Sequence, residues 1–172
     1  MPPLIKPITP HLWFDTPEKV KEAVEYYVSV FSGGAGSGSA GPNSKITSHT
    51  VLHSTPTPGG DTHVYEFELN GQRFMAINGG DIFKFNEAVS FIITCETQEE
   101  LDAYWSKLSA VKESEQCGWC KDKFVQVWQN NPLYLDEVMS SGDQAKIDRV
   151  TQALLPMQKI VIADLKKAAD LD

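Results

Sequence analysis

The sequence has few cysteines, little positive charge and no long apolar run. Its 172 residues include three cysteines, an odd number and too few for a disulfide framework. Lys and Arg number 15 against 23 Asp and Glu, for a net charge of −8. We expect no nucleic-acid partner, because the basic surface that neutralises phosphates is missing. No apolar run reaches the roughly 18 residues of a membrane helix, and the N-terminus lacks an apolar signal core. We therefore expect a cytoplasmic protein without a membrane partner.

The first half shows the pattern of one strand, one helix and three further strands. Thr16 is a helix cap, Pro17 suits the first helical turn, and apolar residues then recur at helical spacing. The pair Asn70-Gly71 between two alternating segments is typical of a tight hairpin. The predicted elements are a strand at 8–14, a helix ending at Phe31, and strands at 45–53, 62–69 and 72–78. Residues 1–80 form a predicted βαβββ module, with a Gly/Ser-rich surface loop at 33–43.

The same order begins again in residues 81–131. Thr97 and Glu100 match a capping box, and the helix that follows has an apolar inner face. The predicted elements are a strand at 88–95, a helix whose inner face is Leu101, Tyr104, Trp105 and Leu108, and strands at 115–121 and 125–130. We interpret this segment as a second βαβββ-type module, which indicates an internal duplication. Residues 132–172 have helical periodicity and form a predicted C-terminal helical extension, with Asp143 capping one helix.

Several stretches resemble a known family. They are ITPHLWFD, NSKITS, FELNGQRFMAINGG, FKFNEAVSFIITCETQEELDAYW, QCGWCKDKF and VWQ. Together they are similar to the vicinal oxygen chelate superfamily of glyoxalases, extradiol dioxygenases and bleomycin-resistance proteins, in its PhnB-like or 3-demethylubiquinone-9 3-methyltransferase-like branch. The resemblance implies an α+β glyoxalase-like fold, two paired βαβββ modules around a curved cleft, and a homodimer. Two departures are the Gly/Ser-rich loop, which lengthens a short connection, and Val125, where the family usually has glycine.

The resemblance also bears on metal binding. In the superfamily, metal ligands come from the first and fourth strands of each module, and the matching positions here are Thr9, Asn78, Ser90 and Gln129. Divalent metals in such sites prefer imidazole, thiolate or carboxylate, whereas hydroxyls and amides supply neither charge nor softness. We therefore expect no metal and no cofactor. His11 shares a strand face with Thr9 and is the one alternative, as a ligand or a base.

The cleft that the resemblance implies has the composition of a small-molecule pocket. The predicted polar contacts are Thr9, His11, Asn78, Ser90 and Gln129, and the predicted walls are Trp13, Phe74, Trp119 and Trp128, with Phe83, Phe85 and Phe91 as further aromatic residues. About half of these aromatic side chains are expected in the core instead.

A Gly-rich motif in the loop matches GxGxxG over residues 36–41. A nucleotide-binding fingerprint follows a strand and opens a helix, whereas this motif follows a helix and runs into Pro42. We therefore exclude nucleotide binding there. The same reasoning leaves the methyltransferase description of the family without a motif for a nucleotide-like methyl donor.

Cys117 and Cys120 form a CxxC pair, which suggests redox chemistry. Reactive pairs usually lie at a helix N-terminus, and this one lies near short predicted strands, so we expect structural cysteines. We also expect no functional site at two further groups. His49, His53 and His63 are expected to face solvent, because strand positions four apart lie about 13 Å from each other, too far for one metal ion. Glu66 and Glu68 are expected on a solvated face.

Three hypotheses for function follow. The first is a metal-independent protein that binds a small molecule, planar or apolar with one or two polar groups. The second is a metal-dependent lyase, isomerase or dioxygenase of the same fold that uses His11. The third is a dimeric interaction module whose pocket is vestigial.

Overall fold

A computed structural model describes residues 8–33, 43–58 and 60–170. These residues form five α-helices and seven strands, and they divide into two compact units, with the boundary between Lys84 and Phe85. Most of the predicted Gly/Ser-rich loop, residues 34–42, lies outside the described residues. In the part of the chain that is described, no helix has the length and apolar character to cross a bilayer.

The first unit is built on a four-stranded mixed sheet. Its strands are β1 (His11–Phe14), β2 (Lys45–Leu52), β3 (Thr62–Leu69) and β4 (Gln72–Asn78), in the order β1-β4-β3-β2. β1 runs parallel to β4, and the other neighbours are antiparallel. Asn70 and Gly71 have φ of +49° and +83°, the left-handed values of a type I′ turn. The predicted hairpin is confirmed.

Helix α1 (Pro17–Ser32) covers one face of this sheet. Oγ1 of Thr16 accepts the Lys19 amide at 3.2 Å and so caps the first turn, as predicted. Its buried side chains, among them Val20, Val24, Tyr27 and Phe31, pack on alternate buried side chains of the strands, including Leu12, Phe14, Tyr65, Phe67, Phe74 and Ala76. Alternation turns His11, Trp13, Met75 and Ile77 to the opposite side, which we call the far face.

The second unit has a three-stranded mixed sheet. Its strands are β5 (Phe91–Cys95), β6 (Trp119–Lys121) and β7 (Val127–Pro132), in the order β5-β7-β6. β5 runs parallel to β7, and β6 is antiparallel to it. A complete βαβββ repeat would have one more strand; among the described residues, a 3₁₀ turn at Lys112–Ser114 precedes β6 instead. The two sheets therefore share a mixed topology but differ in strand number.

Helix α2 (Gln98–Leu108) covers one face of the second sheet. Oγ1 of Thr97 accepts the Glu100 amide at 3.2 Å, and the predicted inner face of the helix is buried. The strand side chains on the same face are Phe91, Ile93, Cys95, Cys120, Trp128 and Asn130. Ile92, Trp119 and Gln129 lie on the far face of this sheet.

Three helices complete the second unit: α3 (Leu133–Met139), α4 (Gln144–Leu154) and α5 (Ile162–Ala169). Asp143 caps α4 as predicted, accepting the Lys146 amide at 3.0 Å. The amide group of Gln98 holds the segment before α5, because it donates to the Ile160 carbonyl at 3.1 Å and accepts the Ile162 amide at 2.8 Å. The predicted helical extension is therefore bonded to α2.

Two turns of the second unit have left-handed residues. Cys117 and Gly118, with φ of +50° and +84°, form a type I′ turn between Gln116 and Trp119, so the predicted strand at 115–121 is shorter than expected. Their amides donate to the carbonyls of Met157 and Gln158 at 2.7 and 2.8 Å. Val125 has φ of +68° in the turn between β6 and β7, so the valine adopts the conformation in which glycine is usual.

Candidate functional site

Trp13 lies on the far face of the first sheet, where its aromatic side chain has three kinds of contact. Its Nε1 donates to the Gly80 carbonyl at 2.8 Å, and its ring lies edge-on to Phe83 with 5.0 Å between centroids. The indole packs directly on Gly79: a Cβ at that position would lie 2.0 Å from Cζ2 of Trp13. A side chain at position 79 would therefore displace the indole, and glycine there lets the ring pack against the backbone while its N–H bonds to the Gly80 carbonyl.

A cavity of about 470 Å³ lies beside this indole, wholly within the first unit. Its walls are Trp13, Leu52, Thr55, Pro56, Thr57, Pro58, Thr62, Ile77, Asn78, Gly79 and Ile82. The volume falls in the range of about 300–1,000 Å³ that is typical of small-molecule pockets. Among the described residues that line it, none is ionisable. The cavity therefore suits an uncharged ligand.

The threonines of the wall form a hydrogen-bonded cluster. Oγ1 of Thr62 lies 2.7 Å from Oγ1 of Thr55 and 2.6 Å from Oγ1 of Thr57. Thr57 also donates to Thr55 at 3.1 Å, and Thr55 donates to the Gly60 carbonyl at 3.2 Å. The sequence prediction did not include these residues, although the Thr-Pro-Thr-Pro segment 55–58 between two strands was a visible signal.

Asn78 and Phe74 have structural contacts. Asn78 is fully buried; its Oδ1 accepts the His63 amide at 2.6 Å and its Nδ2 donates to the Asp61 carbonyl at 3.2 Å. Asn78 lines the cavity, but its amide group holds the start of β3. Phe74 stacks on Phe67 in the core under α1, with 5.5 Å between centroids, and so lies on the face opposite to Trp13.

Thr9 and His11 precede and begin β1 and lie outside the cavity wall. Thr9 is half-buried and His11 exposed. Partial burial of the imidazole lowers the pKa of His11. The lowered pKa favours the neutral ring, which can accept or donate a hydrogen bond.

In the second unit, two predicted residues meet. Nε2 of Gln129 donates to Oγ of Ser90 at 2.7 Å, and Trp119 lies opposite Gln129 in the neighbouring strand. Trp128 instead points under α2: it is buried, its ring lies 5.5 Å from Phe91, and its Nε1 donates to Oδ2 of Asp122 at 2.8 Å. Trp128 is a core residue.

The four positions that match the superfamily's metal ligands do not fit a metal. The amide atoms of Asn78 bond to backbone groups, and Gln129 and Ser90 bond to each other. Thr9 adds only a hydroxyl. Elsewhere in the described residues, no group of three or more His, Cys, Asp or Glu is arranged to hold an ion.

Neither cysteine of the CxxC pair lies at a helix N-terminus, the usual position of a reactive pair. Burial raises the pKa of Cys120 to about 12, and it does the same for Cys95. Cys117 lies in a hairpin turn, where its thiol contacts the Leu155 carbonyl at 3.3 Å. All three cysteines are free thiols.

His49, His63, Glu66 and Glu68 of the β2–β3 hairpin have partners. Nε2 of His49 and Nδ1 of His63 lie 3.0 Å apart across the hairpin, a pair that the spacing argument along one strand missed. The ring of His49 also stacks on Tyr65, with 4.2 Å between centroids. Glu66 and Glu68 form ion pairs with Arg73 and Lys45 at 2.5 and 3.7 Å.

Comparison with known proteins places this geometry in a family. The profile of the family described as 3-demethylubiquinone-9 3-methyltransferase matches residues 6–130. The chain belongs to this family. The match covers the first sheet and the second sheet as far as Asn130, within β7. Helices α3, α4 and α5 lie beyond it. The resemblance inferred from the sequence is confirmed.

Two solved structures support the same fold. A putative 3-demethylubiquinone-9 3-methyltransferase, PhnB protein, from Bacillus cereus is 31% identical over 74% of this chain and 99% of its own, with a TM-score of 0.56. Protein PA1353 from Pseudomonas aeruginosa shares the fold at 15% identity, with a TM-score of 0.52 over 74% of this chain and 97% of its own. No curated protein matches the chain. The α+β, glyoxalase-like fold class is confirmed.

Proposed function

We propose that this protein binds a small molecule without a metal, and that the ligand occupies the cavity beside Trp13. The position of the Trp13 indole supports this proposal. Packing on Gly79 and the bond to the Gly80 carbonyl hold the indole as one wall of an apolar cavity. A wall that is ordered before binding lowers the entropy cost of association. This supports a binding role over a vestigial pocket.

Metal-dependent chemistry is not part of the proposal. The donors at the four matching positions are hydroxyls and amides, and most of them already bond to other protein groups. His11 alone cannot complete a ligand set, because catalytic zinc sites use about three protein ligands. Its lowered pKa leaves it suited to a hydrogen bond with a ligand at the edge of β1.

Methyl transfer, the activity in the family's description, has no supporting site at the three strand-to-helix junctions of the described residues. The connections after β1 and β5 are Asp15–Thr16 and Glu96–Thr97, β7 runs directly into α3, and none of these junctions contains glycine. A nucleotide-like cofactor is usually bound where a Gly-rich turn opens a helix. We therefore propose binding and not methyl transfer.

We further propose ligand contacts on the far face of each sheet, each face taken within its own unit. On the first sheet these contacts are Thr9 and His11, and on the second they are Ser90, Trp119 and Gln129. The three free thiols favour a reducing compartment, and we propose a cytoplasmic location.

A ligand screen by thermal unfolding tests the proposal. A ligand at 100 times its Kd stabilises the folded state by about 2.7 kcal/mol. We expect Trp13→Ala to abolish the rise in unfolding temperature that the ligand causes. Tyr134→Phe, a change on α3 in the other unit, should leave this rise intact. Metal analysis of the purified protein completes the test. Stoichiometric metal in the wild type that disappears in His11→Ala would overturn the proposal and favour the enzyme.

A further inference from the structure

The threonine cluster in the cavity wall limits the hydrogen bonds that a ligand can form there. The cluster consists of Thr55, Thr57 and Thr62, whose hydroxyls form three contacts with one another and a fourth with the Gly60 carbonyl. Each hydroxyl carries one proton. Three protons can serve at most three of the four contacts at once, so each hydroxyl proton already has an acceptor within the cluster or at the Gly60 carbonyl.

Oxygen lone pairs do remain, since each hydroxyl oxygen can accept two hydrogen bonds. Trp13 donates its N–H to the Gly80 carbonyl, and Asn78 is fully buried, with its Oδ1 and one of its N–H groups bonded to backbone at His63 and Asp61. The side chains of the wall thus offer acceptors at the threonine cluster and apolar surface elsewhere.

We infer that the ligand is an uncharged, planar aromatic molecule with a hydrogen-bond donor that points at the threonine cluster. The inference rests on the proposed function, because it describes the occupant of the same cavity. Planarity follows from the flat indole of Trp13 and the surrounding Leu52, Ile77 and Ile82. A charged group would lose its hydration without finding an ion partner among the described wall residues.

A matched pair of probes tests whether the ligand needs a hydrogen-bond donor. Indole and benzofuran have nearly the same shape, but indole has an N–H donor where benzofuran has an acceptor oxygen. Binding of each is followed by ¹H–¹⁵N NMR through the indole N–H signal of Trp13, assigned with Trp13→Phe. We expect indole to bind about tenfold more tightly than benzofuran, the effect of one additional hydrogen bond. Benzoate, planar and charged, should give no shift.

Thr57→Val removes an acceptor while keeping the side-chain shape, and it should reduce the indole preference to about one. Thr50→Val, an exposed position on β2 outside the cavity, is the control and should keep the tenfold ratio. If Thr57→Val unfolds, Thr55→Val replaces it.

Equal binding of indole and benzofuran to the wild type would overturn the donor requirement and leave the proposed binding function standing. Failure of both probes to shift the Trp13 signal would overturn the inference about the ligand, and if the thermal screen also found no stabilising ligand, the proposed binding function would be overturned as well.

Discussion

Val125 holds a backbone conformation that suits glycine. Its φ is +68°, and 44% of the residue is exposed, so little burial compensates for the strain of a β-branched residue there. The left-handed region costs non-glycine residues about 1–2 kcal/mol, and a change to glycine removes this cost. Part of the resulting gain in stability is offset, because glycine has greater freedom in the unfolded chain. We predict that Val125→Gly raises the free energy of unfolding by about 1 kcal/mol, measured by urea denaturation.

Val125→Ala is the matched control, because it removes the β-branch but keeps a Cβ. It should recover less than half of the gain. A destabilised Val125→Gly variant would show that the valine side chain makes a contact worth more than the strain.

Cysteine reactivity separates the three thiols. Burial raises the pKa of Cys95 and of Cys120 to about 12, so neither carries an appreciable thiolate fraction at pH 8. Cys117 is half-exposed in its turn. We predict that iodoacetamide labels Cys117 alone in the native protein, as peptide mass spectrometry would show. Labelling of Cys120 at a similar rate would contradict the buried position of that thiol.

The hairpin formed by β6 and β7 depends on one buried carboxylate. Oδ1 of Asp122 accepts the amides of Phe124 and Gln126 at 2.8 and 3.1 Å, and Oδ2 accepts Nε1 of Trp128 at 2.8 Å. Removing the carboxylate leaves three donors without this acceptor, and each unsatisfied buried group costs about 1–3 kcal/mol. We predict that Asp122→Ala lowers the free energy of unfolding by about 3 kcal/mol or more.

Urea denaturation would measure this loss, with Asp81→Ala at an exposed position as the control. Asp122→Asn should lose less, because its oxygen can still accept the two backbone amides while its NH₂ group faces the Trp128 donor. Equal stability of Asp122→Ala and the wild type would mean that these donors find other acceptors.

Elements whose signals are local were predictable. The helices α1 and α2 begin at Thr16 and Thr97, where a cap residue and an apolar period coincide in sequence. Asn70-Gly71 likewise specifies its own turn. The turn at Cys117-Gly118 was missed because cysteine has no left-handed preference, and the acceptors that hold it lie on a distant segment.

The candidate site was predictable only in part. Trp13 and Asn78 were predicted and do line the cavity, whereas the threonine cluster was not predicted. The face of a strand residue depends on register, and the pairing of Phe14 with Asn78 across β1 and β4 cannot be derived from either strand alone. For that reason the sequence grouped Phe74 with Trp13, although the two point to opposite sides of the sheet.

At the scale of the whole molecule, we predict a homodimer. β1 and β2 are the outer strands of the first sheet, and β2 is exposed along most of its length. Outer strands with free backbone groups are sites of association. Light scattering at micromolar concentration should give twice the chain mass of 19.1 kDa. A particle of the single-chain mass would contradict the prediction.

The bonds from Cys117 and Gly118 to the segment before α5 have a consequence for biosynthesis. A ribosome delivers the turn first, and the Leu155 carbonyl that meets the Cys117 thiol is 38 positions further along the chain. Ile160, which fills the space that a Cβ on Gly118 would occupy, emerges later still. A nascent or prematurely terminated chain therefore has the hairpin without the groups that hold its turn. The second unit can complete its fold only after the segment before α5 has left the ribosome, so products truncated before that segment should be preferred substrates for cellular proteases.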